Sequence, residues 1–376
     1  MVRYWKASPK SQGGQWNSLK ATTTAVMTLA VVSTIFFMYQ DSQNVYFAEP
    51  QRIPIIVTWT PFFITDMKKV LLPTLNNCIY MCHLINRQEQ HFYQRNVSAY
   101  VIHGRNMNSS DLPRATPNQL KVFMLMESPH HTGSAIYQVP RNFFNATMTY
   151  RRDSRYFLPY GQFVPLTPQD KEREDVAVSE QKVLDALKRK TRGSLIFVSN
   201  CNTRSKREHV IKQLGQFTDV TVRGACQKQL SSDNSTELIC KSDCDDDSLI
   251  ATHRFYISFE NSLCKDYITE KFYKRISQLL VPVVMRRKLY EGTDIPPDSF
   301  IALDDFESVK QLGDYLNFLR TNDTEYLKYF EWIKHYRLPS SYISNALCKL
   351  CEDIYHNEKL EINDIARYYT HDQCMD

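Results

Sequence analysis

Three side chains able to handle a phosphorylated sugar stand close together in the stretch FYISFENSLCKDYITEKFYKRISQLLVPVVM, residues 255–285. Tyr267, Glu270 and Lys271 are spaced i, i+3 and i+4, which places them on one face if the segment is helical. Lysine brings a full positive charge. A helix N-terminus adds free N–H groups and the positive end of the macrodipole, and both attract anions. Glutamate and tyrosine can bind hydroxyl groups. The set suits a phosphate carrying a hydroxyl-rich group. A solvated first turn with a Glu–Lys pair has the same spacing, and spacing alone does not separate the two readings.

The elements around these residues narrow the choice. FYISF and VPVVM are short aromatic and β-branched runs and are predicted to be buried strands. Between them Ile268, Phe272, Ile276 and Leu279 recur at helical spacing, so residues 267–280 form an amphipathic helix, with Asp266 as its N-cap. Strand, helix, strand is the unit of a parallel sheet, and ligands of such sheets sit beyond the carboxyl ends of the strands. The loop 260–266 lies at that end.

The same reading extends along the chain. Residues 53–59, 99–103 and 120–126 are predicted strands, and 178–190 is a helix linking two halves. In the second half, strands at 193–200, 219–224 and 300–303 alternate with helices at 207–217 and 309–319. Alternation of this kind defines doubly wound α/β domains, and two such halves facing one cleft is the preferred reading. Glu127 closes the apolar run LKVFMLM just before Pro129, at a strand's carboxyl end. By itself it reads as an exposed loop acid more readily than as a base. The Asp-x-Asp of DCDDD, residues 243–247, reads as a solvated acidic loop rather than a metal site.

The chain has 376 residues, net charge +5, and no dense Lys/Arg block, which argues against nucleic acid as a partner. Residues 21–40 carry no charge, the length of one membrane crossing. Arg3, Lys6, Lys10 and Lys20 precede them and Asp41 and Glu49 follow, so the positive-inside rule places the N-terminus in the cytosol and the body in a lumen. Ten cysteines and Asn-x-Ser/Thr sequons at Asn96, Asn108, Asn145, Asn234 and Asn322 fit an oxidising, glycosylating compartment. The pairs Cys78/Cys82 and Cys348/Cys351 could bind zinc, but a lumenal setting favours disulfides that staple the two ends of the chain together. Cys201, Cys226, Cys240, Cys244, Cys264 and Cys374 cannot be paired from sequence.

Taken together, FYISFENSLCKDYITEKFY followed by VPVV, then MESPHH (126–131) continuing through FFNATMTYRRDSRYFLPYG (143–161), VSNCNTRSKREHV (198–210) and CKLC (348–351) resemble the α1,3-fucosyltransferases, glycosyltransferase family 10. The resemblance covers about residues 53–351. It implies two Rossmann-like domains facing one cleft (GT-B), preceded by a single N-terminal transmembrane helix in a type II Golgi membrane protein. The organisation is then a cytoplasmic tail at 1–20, a signal-anchor at 21–40, a stem at 41–52, an acceptor-side domain at 53–190, a GDP-fucose-binding domain at 191–340 and a C-terminal segment with CxxC at 341–376.

The implied reaction is inverting transfer of L-fucose from GDP-fucose to the 3-hydroxyl of N-acetylglucosamine on N-glycans or related glycans. Carried over, Asn261, Tyr267, Glu270 and Lys271 bind the donor, Arg207 joins Lys271 on the diphosphate, and Glu127 is the general base, with His130 and His131 as alternatives. No metal is obligatory, although Mn²⁺ could stimulate. Arg105 stands where α1,4-capable relatives tend to carry Trp, so α1,3 transfer alone is expected. Gln278-Leu279-Leu280 replaces a small Ala-Gly pair, and Met285 a small residue, beside the donor site. An enzyme using another nucleotide-sugar is disfavoured by the intact ENS…DYITEK run. An inactive glycan-binding membrane protein is disfavoured by joint retention of Glu127, Arg207, Glu270 and Lys271.

Overall fold

The computed structural model describes residue 33 and residues 53–75, 78–93, 97–171, 173, 177–231, 246–337 and 345–375. The expected anchor at 21–40, the stem, the acidic run at 243–245, Cys240, Cys244, Asn96 and Asn234 lie outside these residues, Ser33 excepted. Among the described residues no helix is long and apolar enough to cross a membrane.

Two parallel sheets carry the body. The first uses β1 (Ile55–Thr58), β2 (His83–Asn86), β3 (Val97–His103), β4 (Leu120–Leu125), β5 (Ala146–Thr149) and β6 (Tyr156–Phe157), in the order β2-β1-β3-β4-β5-β6. A short β7 (Val164–Pro165) follows. The second sheet uses β8 (Arg192–Phe197), β9 (Val220–Arg223), β10 (His253–Ile257), β11 (Val281–Val284) and β12 (Ile301–Ala302), in the order β12-β11-β10-β8-β9. Every pairing within both sheets is parallel. Counting strands from the start of each half, the orders coincide: the second strand lies outside the first, and the third lies on the other side of it. That reversal creates a crevice at the carboxyl ends of β1 and β3, and another at the ends of β8 and β10.

The central strands are buried whatever their residues, His253 and Arg254 of β10 included. Val281–Val284 and His253–Ile257 are buried along their whole length, as parallel strands covered on both faces must be. The strands β2, β5 and β6 carried too little β-branched patterning to be predicted. They form because their neighbours supply the pairing. Helices cover the second sheet: α1 (Glu180–Leu187), α2 (Arg207–Leu214), α3 (Glu270–Ser277) and α4 (Val309–Thr321).

After β13 (Tyr336–Arg337), which pairs antiparallel with β7, the chain returns to the first sheet. There α5 (Ala346–Tyr355) and α6 (Ile365–Thr370) bury Leu347, Leu350, Cys351, Ile365 and Tyr369 in the same core as β1 and β3–β5. Disulfides Cys78–Cys348 and Cys82–Cys351 fasten this return, the stapling expected of those four cysteines. Cys201 pairs with Cys226, and Cys264 with Cys374. At the crossing between the halves, a Cβ on Gly161 would lie 2.3 Å from the Tyr273 ring, so only glycine lets the chain pass.

Candidate active site

The site is built where the carboxyl ends of the two sheets meet. From the first sheet, β4 ends at Leu125 and the chain turns at Pro129, leaving Glu127 half-buried between them. Its backbone is fixed on both sides: Tyr369 donates to the Glu127 carbonyl at 2.6 Å, and Tyr160 to the Met126 carbonyl at 2.6 Å. Burial raises the Glu127 carboxyl above the ordinary range. Lys271 and Arg105 oppose that shift, while Glu270 and Glu260 reinforce it. Four charged groups from both halves therefore act on one carboxylate. A direct bond joins the halves beside it, with Ser128 Oγ donating to Ser262 Oγ at 2.9 Å.

From the second sheet, β10 leads into the loop carrying Glu260 and Asn261. The helix after that loop starts later than its periodicity suggests. Thr269, not Asp266, is the N-cap: its Oγ1 accepts from the Lys271 amide at 3.4 Å. Asp266 adopts φ +60° and its carboxylate instead accepts the Arg152 amide at 3.0 Å. The shared helical face of Tyr267, Glu270 and Lys271 is corrected accordingly. Tyr267 precedes α3 and is buried in the first core, its ring 5.1 Å from that of Tyr150. Burial, reinforced by Glu260 and Glu127, raises its hydroxyl far above the usual tyrosine range.

Lys271 is the cation of the site. Its Nζ lies 3.0 Å from Glu270, 3.3 Å from Glu260 and 3.0 Å from Thr269 Oγ1. Burial alone would lower its pKa. The Glu260 and Glu270 carboxylates outweigh burial and hold the ammonium protonated well above the ordinary lysine range. Glu260 was missed as a site residue. Its carboxylate accepts both the amide and the hydroxyl of Thr269, at 2.9 and 2.7 Å, while its Oε2 is buried without a hydrogen bond. A glutamate closing a buried strand, nine residues ahead of a threonine cap, is the signal that could have found it.

Arg207 begins α2 with 3 % exposure and spends its guanidinium on backbone carbonyls, Phe259 at 2.6 Å and Asn200 at 3.3 Å. Its Nε is buried without a partner, as is Oδ1 of Asn261. Arg207 thus ties the loop after β8 to the end of β10, and Nε alone of its polar atoms stays uncommitted.

Arg105 donates to the His131 carbonyl at 2.7 Å, and His131 Nδ1 meets Ser128 Oγ at 2.9 Å. Burial lowers the His131 pKa. His130 and His131 line a cleft of about 730 Å³ with Arg204, Lys206 and His209 from the second half. His130 lies near Cys264 and Cys374, but those sulfurs are joined to each other. Arg151 pairs with Asp153, and Arg152 with Asp294 at 2.5 Å.

Of the sequons, Asn108 is exposed, Asn145 holds the Lys121 amide and the Leu360 carbonyl, and Asn322 caps the helix Asp323–Leu327.

Two doubly wound parallel sheets thus bring an acid from one and a lysine from the other within electrostatic reach of each other. Solved structures share that fold. A crystal structure of an α1,3-fucosyltransferase with GDP-fucose matches at TM-score 0.52 and 16 % identity, covering 84 % of this chain and 94 % of that one.

Sequence comparison is more specific. The profile "Fucosyltransferase, N-terminal" matches residues 51–161, and "Glycosyltransferase family 10 (fucosyltransferase) C-term" matches residues 187–368. The chain is 30 % identical over 379 residues to the 4-galactosyl-N-acetylglucosaminide 3-alpha-L-fucosyltransferase FUT6 of Homo sapiens, covering 95 % of this chain and 98 % of that protein. It is 32 % identical to alpha-(1,3)-fucosyltransferase C of Drosophila melanogaster, covering 80 % and 73 % respectively. Against alpha-(1,3)-fucosyltransferase fut-1 of Caenorhabditis elegans it is 38 % identical over 236 residues, half of that protein's length. The chain belongs to glycosyltransferase family 10, the fucosyltransferases.

Proposed function

We propose that the chain is an inverting α1,3-fucosyltransferase that moves L-fucose from GDP-fucose to the 3-hydroxyl of N-acetylglucosamine on glycoprotein N-glycans or related glycans. The observation that carries this reading is the Ser128–Ser262 hydrogen bond, which sets Glu127 of the first half beside the loop that leads to Lys271 of the second. In the proposed step Glu127 takes the proton of the acceptor hydroxyl as its oxygen bonds to the anomeric carbon of fucose. The bond from that carbon to the GDP β-phosphate oxygen breaks, and GDP departs with the electron pair. A raised carboxyl pKa makes Glu127 a stronger base than a free carboxylate. Lys271 and the N-terminus of α3 stabilise the charge growing on GDP. Glu270 is placed to meet hydroxyl groups of the donor or the positive charge developing on the sugar ring. No obligatory metal enters this scheme.

The charge asymmetry around residues 21–40 and the sequons support a type II protein of the Golgi membrane with its catalytic body in the lumen. The decisive experiment incubates the chain with GDP-fucose and a panel of N-glycans that offer core or antennal N-acetylglucosamine, and reads the products by mass spectrometry. A gain of one deoxyhexose in α1,3 linkage is expected. Absence of transfer to every acceptor, with GDP-fucose intact, refutes the reading.

A further inference from the structure

The loop 260–266 between β10 and α3 is held from outside by the last residues of the chain. The Lys265 amide donates to the Gln373 carbonyl at 2.7 Å, and the Met375 amide to the Leu263 carbonyl at 2.7 Å. Between these bonds Cys264 is disulfide-linked to Cys374, its partner across an antiparallel bridge. A few residues earlier Tyr369, on α6, holds the Glu127 carbonyl. One C-terminal segment therefore touches both the backbone of the proposed base and the loop that leads to Lys271.

We propose that residues 371–375 are a strap that positions the donor loop, with Cys264–Cys374 as its fastening. The inference rests on the donor-site reading given above. The loop has no regular secondary structure, and it contains Asp266 at φ +60°, a conformation that non-glycine residues keep only where the surroundings over-determine it. Those surroundings are identifiable. The strap supplies two backbone bonds and one covalent link on one side. The Arg152 amide holds Asp266 on the other. Cys264 itself is fully buried in the first core beside Tyr267.

Release of the strap frees the segment between Asn261 and Tyr267, the two donor-side residues that flank it. Lys271 stays in place, because Glu260 and the Thr269 cap hold α3 independently. Glu127 keeps its bond to Tyr369, which lies ahead of the strap. The strap is therefore a positioning element for the nucleotide-sugar and acts through the loop.

The test compares the full chain with two variants: Cys264→Ser/Cys374→Ser, and Cys264→Ser in a chain ending at Gln373. GDP affinity is measured by calorimetry, and kcat and the separate KM values for donor and acceptor by assay. The melting curve is recorded for each. Both variants are expected to melt cooperatively, with Kd for GDP and KM for GDP-fucose raised about tenfold or more, as misplaced positioning groups produce, and with acceptor KM within about twofold. Unchanged donor constants overturn the proposal. So does a variant pair that fails to fold, or whose donor and acceptor constants rise together, since the segment is then ordinary structural support. A wild-type chain that binds no GDP refutes the donor-site reading itself, and is distinguished from failure of the strap alone by the wild-type measurement.

Discussion

The Glu260 carboxylate lies 3.3 Å from the Lys271 ammonium, with 5 % and 20 % of their side chains exposed. The same carboxylate caps α3 through Thr269. One buried acid thus fixes both the start of the helix and the charge that is proposed to face the diphosphate.

Lys271→Ala is expected to weaken GDP binding and to slow transfer on the order of a hundredfold or more. It also leaves Glu260, a carboxyl whose pKa burial already raises, without its cation, a change that costs up to roughly 3–5 kcal/mol. Adding Glu260→Gln removes that carboxyl, so the double variant should recover thermal stability without recovering activity. Thermal melts and nucleotide titration of both variants check this. A double variant no more stable than Lys271→Ala would show that the pair is not energetically coupled.

Glu127→Gln keeps size and shape but removes the proton acceptor, so transfer should fall roughly a hundred- to ten-thousandfold with GDP affinity nearly unchanged. The acid limb of the wild-type rate profile should lie above the ordinary carboxylate range, because burial raises this group, and the limb should vanish in the variant. Near-normal transfer with an unchanged acid limb would shift the base to His130 or His131.

The same substitution has a signed effect on stability. A carboxyl whose pKa is raised on folding binds its proton more tightly in the folded chain. That stabilisation is complete below the unfolded pKa and is lost as pH rises through the folded one. At neutral pH Glu127→Gln should therefore melt slightly higher than wild type, and the gap should close in acid. Melting curves across pH that show the reverse order would mean the carboxylate is net stabilising.

Cys78–Cys348 closes a sequence separation of 270 residues. Cys82–Cys351 closes nearly the same loop, so removal of Cys78–Cys348 by paired Ser substitution releases only a short ring and should cost roughly 2 kcal/mol on the chain-entropy view. The loss should appear as a lower denaturant midpoint, and the kinetic constants of the surviving folded fraction should not change. A changed KM for GDP-fucose would show that the staple reaches the donor site.

Transfer should persist in EDTA, since Lys271 and the terminus of α3 supply the positive charge at the leaving group. Activity abolished by EDTA and restored only by a divalent ion would replace that account with a metal-centred one.

Much of this protein is local in its sequence. Runs such as VPVV and VFML form parallel strands because nothing polar interrupts them, and Ile268, Phe272 and Ile276 mark a helix by period alone. The residues that resemble family 10 lie in contiguous motifs, so Glu127, Glu270 and Lys271 were legible as candidates. The pairing of Cys78/Cys82 with Cys348/Cys351 was legible as a staple between distant ends. What tertiary structure decided is everything that depends on a distant partner. Asp266 is chemically a good cap, but the Arg152 backbone claims its carboxylate, so the helix starts at Thr269. Tyr267 has helical spacing but turns into a core supplied by the other half. Glu260 looks like a loop acid until its strand is buried and Lys271 is brought beside it. Arg207 is a cation in sequence, and becomes a buried tether once two carbonyls from the segments that follow β8 and β10 take its guanidinium. Each outcome turns on which remote group wins a hydrogen bond or a buried charge, and that competition exists only after the chain has closed on itself.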